Sequence, residues 1–171
     1  MAPQYISVAL RRQIREDAKA RCGYCHTPEA FIGMPLEIDH LFPEALGGAT
    51  VRENLWLACT RCNDFKGDRI KAVDPQADDE VPFFNPCTQR WQAHFRWSLD
   101  GSSIIGLTAI GRATVQALRL NNDFILVARN FRRTVGCWRP LEDHSQDSEA
   151  EYNRSASSAC RPRRSSVDRG G

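Results

Sequence analysis

Residues 22–25 read Cys-Gly-Tyr-Cys, residues 37–40 read Glu-Ile-Asp-His, and residues 59–63 read Cys-Thr-Arg-Cys-Asn. The first and last of these segments each carry two cysteines separated by two residues, which is the spacing of a metal-binding turn. Two such pairs supply the four thiolates of a tetrahedral zinc site. We therefore predict a structural Zn²⁺ that joins two distant parts of the chain. Its ligands would be Cys22, Cys25, Cys59 and Cys62.

The cysteines also allow other interpretations. The chain has seven cysteines, and an odd number in a reducing compartment argues for metal binding rather than disulfides. Residues 22–26 also match the Cys-x-x-Cys-His pattern that attaches c-type haem, although the second pair favours zinc. The other cysteines show no metal-binding spacing and are most simply packing or tail residues. They are Cys87, Cys137 and Cys160.

The composition is that of one ordinary domain with a tail, since the chain has 171 residues of which 42% are hydrophobic. It contains no apolar run of about 18 residues and no signal-peptide pattern near its start, so we expect a cytoplasmic protein without membrane spans. The formal net charge is only +2, but lysine occurs at just three positions and arginine carries the rest. Arginine binds phosphate with two hydrogen bonds, so this surface suits a nucleic-acid partner, although an ordinary solvated surface has the same composition.

Periodicity and turn signals predict a mixed α+β fold. Asp100-Gly101 between alternating segments is a strong hairpin signal. The predicted strands are Leu36–Leu41, Leu55–Ala58, Ala93–Leu99 and a return strand through Ile104 and Ile105. The predicted helices are Ser7–Arg21 with Ser7 as its cap, Thr60–Lys71 with Thr60 as its cap, Thr108–Leu120 and Asn121–Val135.

Composition shifts divide the chain into four parts. We predict a core with the metal-binding turns at 1–73, an acidic linker at 74–82 and a hairpin-helix extension packed on the core at 83–144. Serine, arginine and acidic residues dominate 145–171, which we predict to be disordered because it has too little apolar surface to offset the entropy of ordering.

The ordered set of motifs resembles the HNH endonucleases, whose catalytic core is the ββα-metal or His-Me finger. Besides the three segments above, the resemblance includes Gly47-Gly48, Glu53-Asn54-Leu55 and Lys66-Gly67. It covers roughly residues 21–71. The resemblance implies a ββα-metal core, which the predicted zinc would staple. The patterns described above add an N-terminal helix before this core and a hairpin plus two helices after it.

Phosphodiester hydrolysis needs a base for water and a cation for the leaving oxygen. We predict His40 as the base, because imidazole accepts protons near neutral pH. Asp39 and Asn63 offer hard oxygen donors for Mg²⁺ or Mn²⁺. The resemblance implies that Asn54 bonds across the loop and orients His40. Since neighbours on a regular strand point to opposite faces, we expect the strand to end or twist near Asp39 and His40.

Lys66 and Arg69 are candidate substrate contacts for phosphate, although exposed helix charges would have the same pattern. The family often has histidine where this chain has Asn63, and asparagine favours hard cations over Zn²⁺. The predicted function is metal-dependent hydrolysis of DNA with 5′-phosphate and 3′-hydroxyl ends, the end chemistry following from the resemblance. The alternative is a catalytically inactive, zinc-stapled nucleic-acid-binding module.

Overall fold

The structure is a computed structural model in which residues 5–137 are described. The chain divides into two units, Met1–Asn122 and Asp123–Gly171. The predicted disordered tail at 145–171 lies outside the described residues, as does the end of the predicted extension beyond residue 137. The domain boundaries derived from the sequence stay a prediction. No helix within residues 5–137 is long and apolar enough to cross a membrane.

The first helix, α1, spans Val8–Asp17. Ser7 caps it, as predicted, because its hydroxyl oxygen accepts a hydrogen bond from the Leu10 amide at 3.2 Å. Ile14 is fully buried, and burial of such a side chain contributes about 1.5–3 kcal/mol. The helix ends before the predicted Arg21 because Lys19 and Ala20 adopt positive φ angles. The chain thereby turns into the first cysteine pair.

Two antiparallel strands and a helix follow in ββα order. Strand β1 spans Glu37–His40, strand β2 spans Leu55–Ala58, and helix α2 spans Thr60–Lys66. The register pairs His40 with Leu55 and Glu37 with Ala58. The predicted end of the first strand near His40 is therefore confirmed.

Helix α2 differs from the sequence prediction at both ends. Its N-cap residue is Cys59, and the hydroxyl of Thr60 bonds to Glu37 instead of capping the helix. The helix stops at Lys66 because Gly67 has a φ of 54°, a value that glycine adopts without steric cost. The predicted continuation to Lys71 is wrong, since a strand begins at that residue.

Strand β3 (Lys71–Val73) pairs with β4 (Glu80–Pro82) in a short antiparallel hairpin. Part of the range that we predicted as an acidic linker is therefore regular structure. A further hairpin joins β5 (Phe95–Trp97) to β6 (Ile104–Gly106) and confirms the Asp100-Gly101 turn signal. A one-turn helix, α3 (Trp91–His94), takes the place of the start of the predicted strand.

Helix α4 spans Ala109–Ala117, and its cap is Thr108, whose hydroxyl oxygen accepts from the Gly111 amide at 3.1 Å. Buried side chains from Ile6 to Leu120 form one apolar cluster. The first unit thus has a single core shared by the ββα segment and the later hairpin. The second unit begins with helix α5, which spans Asp123–Thr134. Mixed helices and hairpins confirm the predicted α+β class.

One ion pair links the β3–β4 turn to α4. Asp74 is fully buried, and its carboxylate oxygens accept from Nε of Arg112 at 2.8 Å and from the Arg112 terminal nitrogen at 2.5 Å. This two-point contact holds the pKa of Asp74 below its ordinary value. A depressed carboxyl pKa contributes stability that is present above the unfolded-state pKa and is lost as the pH falls through the folded-state pKa.

We expect Arg112→Met to lower the melting temperature, because the Asp74 carboxylate would stay buried without its cation. The difference from the wild type should be largest at neutral pH and should shrink as Asp74 becomes protonated in acid. Thermal unfolding followed across that pH range measures both effects.

Arg96→Met is the matched control, since Arg96 is exposed. It should leave the melting temperature nearly unchanged. If the melting temperatures of Arg112→Met and the wild type differed by the same amount at every pH, the ionisation of Asp74 would not explain the difference.

Candidate active site

The four predicted zinc ligands meet in one buried cluster. The sulfur atoms of Cys22, Cys25, Cys59 and Cys62 all lie within 4.8 Å of one another. The Cys25 and Cys59 sulfurs are 3.8 Å apart, and a tetrahedron with Zn–S bonds of about 2.3 Å has edges of about 3.8 Å. The cluster therefore fits a zinc ion, and its use of both cysteine pairs favours zinc over the haem interpretation.

The chemistry of the thiols also fits a cation. Burial raises the pKa of Cys22, whereas hydrogen bonding from the Cys22 thiol is the main cause that lowers the pKa of Cys25. Neighbouring buried thiols cannot all ionise together without a compensating positive charge. A divalent cation among the sulfurs would supply that charge.

The metal-binding turn packs closely on the ββα core. A Cβ atom on Gly23 would lie 2.3 Å from the indole of Trp56, so only glycine fits between Cys22 and Tyr24. The carbonyl of Tyr24 accepts a hydrogen bond from the indole nitrogen of Trp91 at 3.0 Å. The turn is thus held from two sides, and the orientation of Tyr24 follows from this packing.

Tyr24 connects the cysteine cluster to the candidate catalytic strand. Its hydroxyl donates to Oδ2 of Asp39 at 2.8 Å. Both side chains are buried, with 1% and 5% of their surfaces exposed. The orientation of the Asp39 carboxylate therefore depends on a residue that stands between two zinc ligands. Tyr24 is a site residue that was not predicted, although its place inside the Cys-x-x-Cys turn was a usable signal.

Lys66 is the second partner of Asp39. Its ammonium donates to Oδ1 of Asp39 at 2.9 Å and to the backbone carbonyl of His40 at 2.8 Å. Burial raises the pKa of Asp39, and Lys66 and Tyr24 partly offset this effect. Only 1% of Lys66 is exposed. Its observed contacts are therefore internal, whereas the sequence predicted either a phosphate contact or an exposed helix charge.

His40 lies at the end of β1 and is partly buried. Its Nε2 is 2.9 Å from the Thr50 hydroxyl oxygen and 4.0 Å from Oε1 of Glu44. Both partners come from the loop between β1 and β2. This loop fixes the imidazole ring while Asp39, on the adjacent strand position, faces Tyr24 and Lys66.

Asn54 holds that loop closed. Its Oδ1 accepts from the Phe42 amide at 2.8 Å, and its Nδ2 donates to the carbonyls of Phe42 and Ala49, both at 2.9 Å. The predicted hydrogen bonding across the loop is thus observed. The role of Asn54 in orienting His40 stays a prediction.

Asn63 contacts a residue that the sequence analysis did not assign. Its Nδ2 donates to Oε2 of Glu37 at 2.6 Å. Glu37 and Asp39 occupy the same face of β1, since side chains two positions apart on a strand point the same way. This alternation in the sequence could have identified Glu37 as a residue of the site. No hydrogen bond among residues 5–137 joins Asp39 to Asn63 directly. Both side chains lie along the contact between β1 and α2.

Arg69 follows α2 and is exposed. Its guanidinium donates to carbonyls of the preceding turn, Lys66 at 3.3 Å and Phe65, and lies 5.6 Å from the centre of the Phe83 ring. These contacts hold the side chain on the surface of the unit. Its assignment to phosphate binding stays a prediction.

Comparison with known proteins agrees with this geometry. The HNH endonuclease family matches residues 22–69. The CRISPR-associated endonuclease Cas9 of Corynebacterium diphtheriae is 41% identical to this chain over 64 residues, which are 37% of this chain and 6% of Cas9. The chain therefore spans a small fraction of the length of that relative. No solved structure shows a significant match.

The ββα segment with its cysteine cluster fits a zinc-stapled ββα-metal fold, and residues 22–69 match the HNH endonuclease family. The predicted resemblance is confirmed.

Proposed function

We propose that the chain is a metal-dependent endonuclease that hydrolyses DNA phosphodiester bonds, with His40 as general base. The observation that supports this proposal most is the family match across residues 22–69, because that segment contains every predicted catalytic side chain. They are Asp39, His40, Asn54 and Asn63.

The proposed chemistry divides between a base and a cation site. His40 takes a proton from water, and the resulting hydroxide attacks phosphorus while the bond to the 3′-oxygen breaks. The 3′-oxygen leaves, takes up a proton, and the products are a 5′-phosphate and a 3′-hydroxyl. Thr50 holds the imidazole ring in place during this transfer. Asn54 keeps the loop that carries Thr50 closed over the end of β1.

Asp39 and Asn63 are the proposed ligands of the catalytic Mg²⁺ or Mn²⁺. Each carboxylate oxygen of Asp39 accepts one hydrogen bond and retains further lone-pair capacity. Together with the amide oxygen of Asn63 these are hard donors, which fit Mg²⁺ and Mn²⁺. A cation bound there would stabilise the negative charge that develops on the leaving oxygen.

Supercoiled plasmid incubated with the zinc-loaded protein tests the proposal. We expect nicked or linear product with Mg²⁺ or Mn²⁺ and no product when EDTA removes the free cation. Duplex binding without cleavage under every divalent cation would contradict the proposal and would leave the alternative, a zinc-stapled module that only binds nucleic acid.

Lys66→Met should move the acidic limb of the cleavage pH profile to higher pH. Lys66 lowers the pKa of Asp39 against the effect of burial, so its removal leaves Asp39 protonated over a wider pH range. Protonated Asp39 is a poor ligand, and cleavage at a given acidic pH should fall. Initial rates of plasmid nicking as a function of pH, at one fixed Mn²⁺ concentration below saturation, measure the shift.

Lys71→Met is the control, because Lys71 is an exposed lysine paired with Glu80 at 3.2 Å. Its pH profile should superimpose on that of the wild type. Since loss of a buried ion-pair partner costs about 3–5 kcal/mol, the folded fraction of Lys66→Met is measured alongside. If folded Lys66→Met had the same acidic limb of the cleavage pH profile as the wild type, Lys66 would not control the protonation of Asp39.

A further inference from the structure

We infer that Glu37 is a positioning residue of the candidate active site: it holds the amide of Asn63 so that the amide oxygen is the end left for the divalent cation. This inference rests on the proposed function, because it assumes that Asn63 is a cation ligand. It adds a residue and a role that the HNH motif positions Asp39, His40 and Asn63 do not supply.

The carboxylate of Glu37 contacts two side chains on one face of α2. Oε2 accepts from Nδ2 of Asn63 at 2.6 Å, and Oε1 accepts from the Thr60 hydroxyl at 2.6 Å. Thr60 and Asn63 are three residues apart on the helix and therefore lie on the same side. Both carboxylate oxygens are engaged, so the group has little freedom to rotate.

The chemistry of these partners determines which end of the amide Glu37 can hold. An asparagine side chain offers an NH₂ donor at one end and an oxygen acceptor at the other. An ionised carboxylate only accepts hydrogen bonds. Glu37 can therefore bind only the NH₂ end of Asn63. The Asn63 oxygen must point away from Glu37, and oxygen is the atom that a hard cation binds.

The position of Glu37 on the strand links the two proposed ligands. Glu37 and Asp39 share one face of β1, and both bond to side chains of α2, Glu37 to Asn63 and Asp39 to Lys66. These two contacts hold the strand and the helix in a defined alignment. Glu37 and Asn63 are both partly exposed, so a hydrated cation can reach the amide from solvent.

Glu37→Met tests the inference in zinc-loaded protein. We expect the dissociation constant for Mn²⁺, measured by calorimetry, to rise by about 10–100-fold, the usual effect of losing a group that orients a metal ligand. The Mn²⁺ concentration that gives half-maximal nicking should rise in parallel. Glu37→Gln should stay close to the wild type, because its amide oxygen can accept from Asn63 while its NH₂ group donates to Thr60. Glu16→Met, which removes an exposed carboxylate of α1, is the matched control.

The comparison of Glu37→Gln with Glu37→Met separates orientation from general damage to the fold. Both variants lose the carboxylate charge, but only glutamine keeps an oxygen that accepts from the Asn63 amide. Zinc content should stay constant throughout.

Wild-type Mn²⁺ affinity in Glu37→Met would overturn the inference, as would equally weak Mn²⁺ binding in Glu37→Gln and Glu37→Met. Calorimetry measures Mn²⁺ binding independently of cleavage, so it distinguishes a failure of this inference from a failure of the proposed function. Mn²⁺ binding that depends on Glu37 without any plasmid cleavage would support the positioning role and contradict the nuclease. Mn²⁺ binding that survives Asn63→Ala would overturn the inference outright.

Discussion

Replacement of His40 by alanine should lower the rate of plasmid cleavage by about 10²–10⁴-fold, the contribution of a positioned general base. The substitution removes the imidazole whose Nε2 lies 2.9 Å from the Thr50 hydroxyl oxygen, and alanine has no group that accepts a proton. The fold should survive because His40 lies at the end of β1 and outside the apolar cluster of the first unit. Cleavage under single-turnover conditions, zinc content and thermal unfolding are the three measurements.

The protein offers a matched control for this substitution. His94 is also partly buried and also bonds to a threonine hydroxyl, with 2.7 Å between its Nδ1 and the Thr108 oxygen. His94→Ala should therefore reproduce the loss of a histidine–threonine contact without loss of cleavage. A His40→Ala protein that cuts at the wild-type rate would remove His40 from the mechanism.

Cys59→Ser should abolish zinc binding and unfold the ββα core. Structural zinc sites contribute an apparent free energy of about 10–16 kcal/mol at neutral pH, which is comparable to the whole stability of a typical domain, roughly 5–15 kcal/mol. The three remaining buried thiols would also lack a compensating cation. Loss of zinc in elemental analysis, together with loss of the cooperative unfolding transition, is the expected result.

The same substitution should abolish cleavage. Tyr24 lies between Cys22 and Cys25 and donates a hydrogen bond to Asp39. Loss of the cysteine cluster would therefore remove the contact that orients the Asp39 carboxylate, the proposed ligand of the catalytic cation. Cys87→Ser is the control, because Cys87 lies outside the cluster. One full equivalent of zinc and an unchanged melting temperature in Cys59→Ser would contradict the structural role of this site.

Local signals in the sequence predicted most of the secondary structure. Ser7 caps α1 as predicted, because capping needs only a side-chain oxygen and an amide three residues later. The Asp100-Gly101 hairpin was correct for a similar reason, since the turn chemistry lies within adjacent residues. Helix α2 is shorter than predicted because Gly67, a common helix-ending residue, stops it after Lys66.

The cysteine cluster of the candidate site was predicted correctly, whereas the roles of the other site residues stay predictions. The spacing of the cysteine pairs identified the zinc cluster, because the ligand geometry of zinc limits which spacings can close a tetrahedron. The positions of Asp39, His40, Asn54 and Asn63 came from the family resemblance. Their partners could not be read from spacing, since each partner belongs to a segment that folding brings near.

By itself the sequence determined which side chains are available and which elements carry them. Those properties depend on neighbours within a few residues: a capping oxygen, a turn glycine, two thiols separated by two residues. Only the tertiary structure decided that the ammonium of Lys66 faces Asp39 and that Glu37 holds Asn63, contacts that join residues 27 and 26 positions apart. The physical reason is that β1 packs on α2 through one face alone. A polar group buried by that packing must find its partner across the interface.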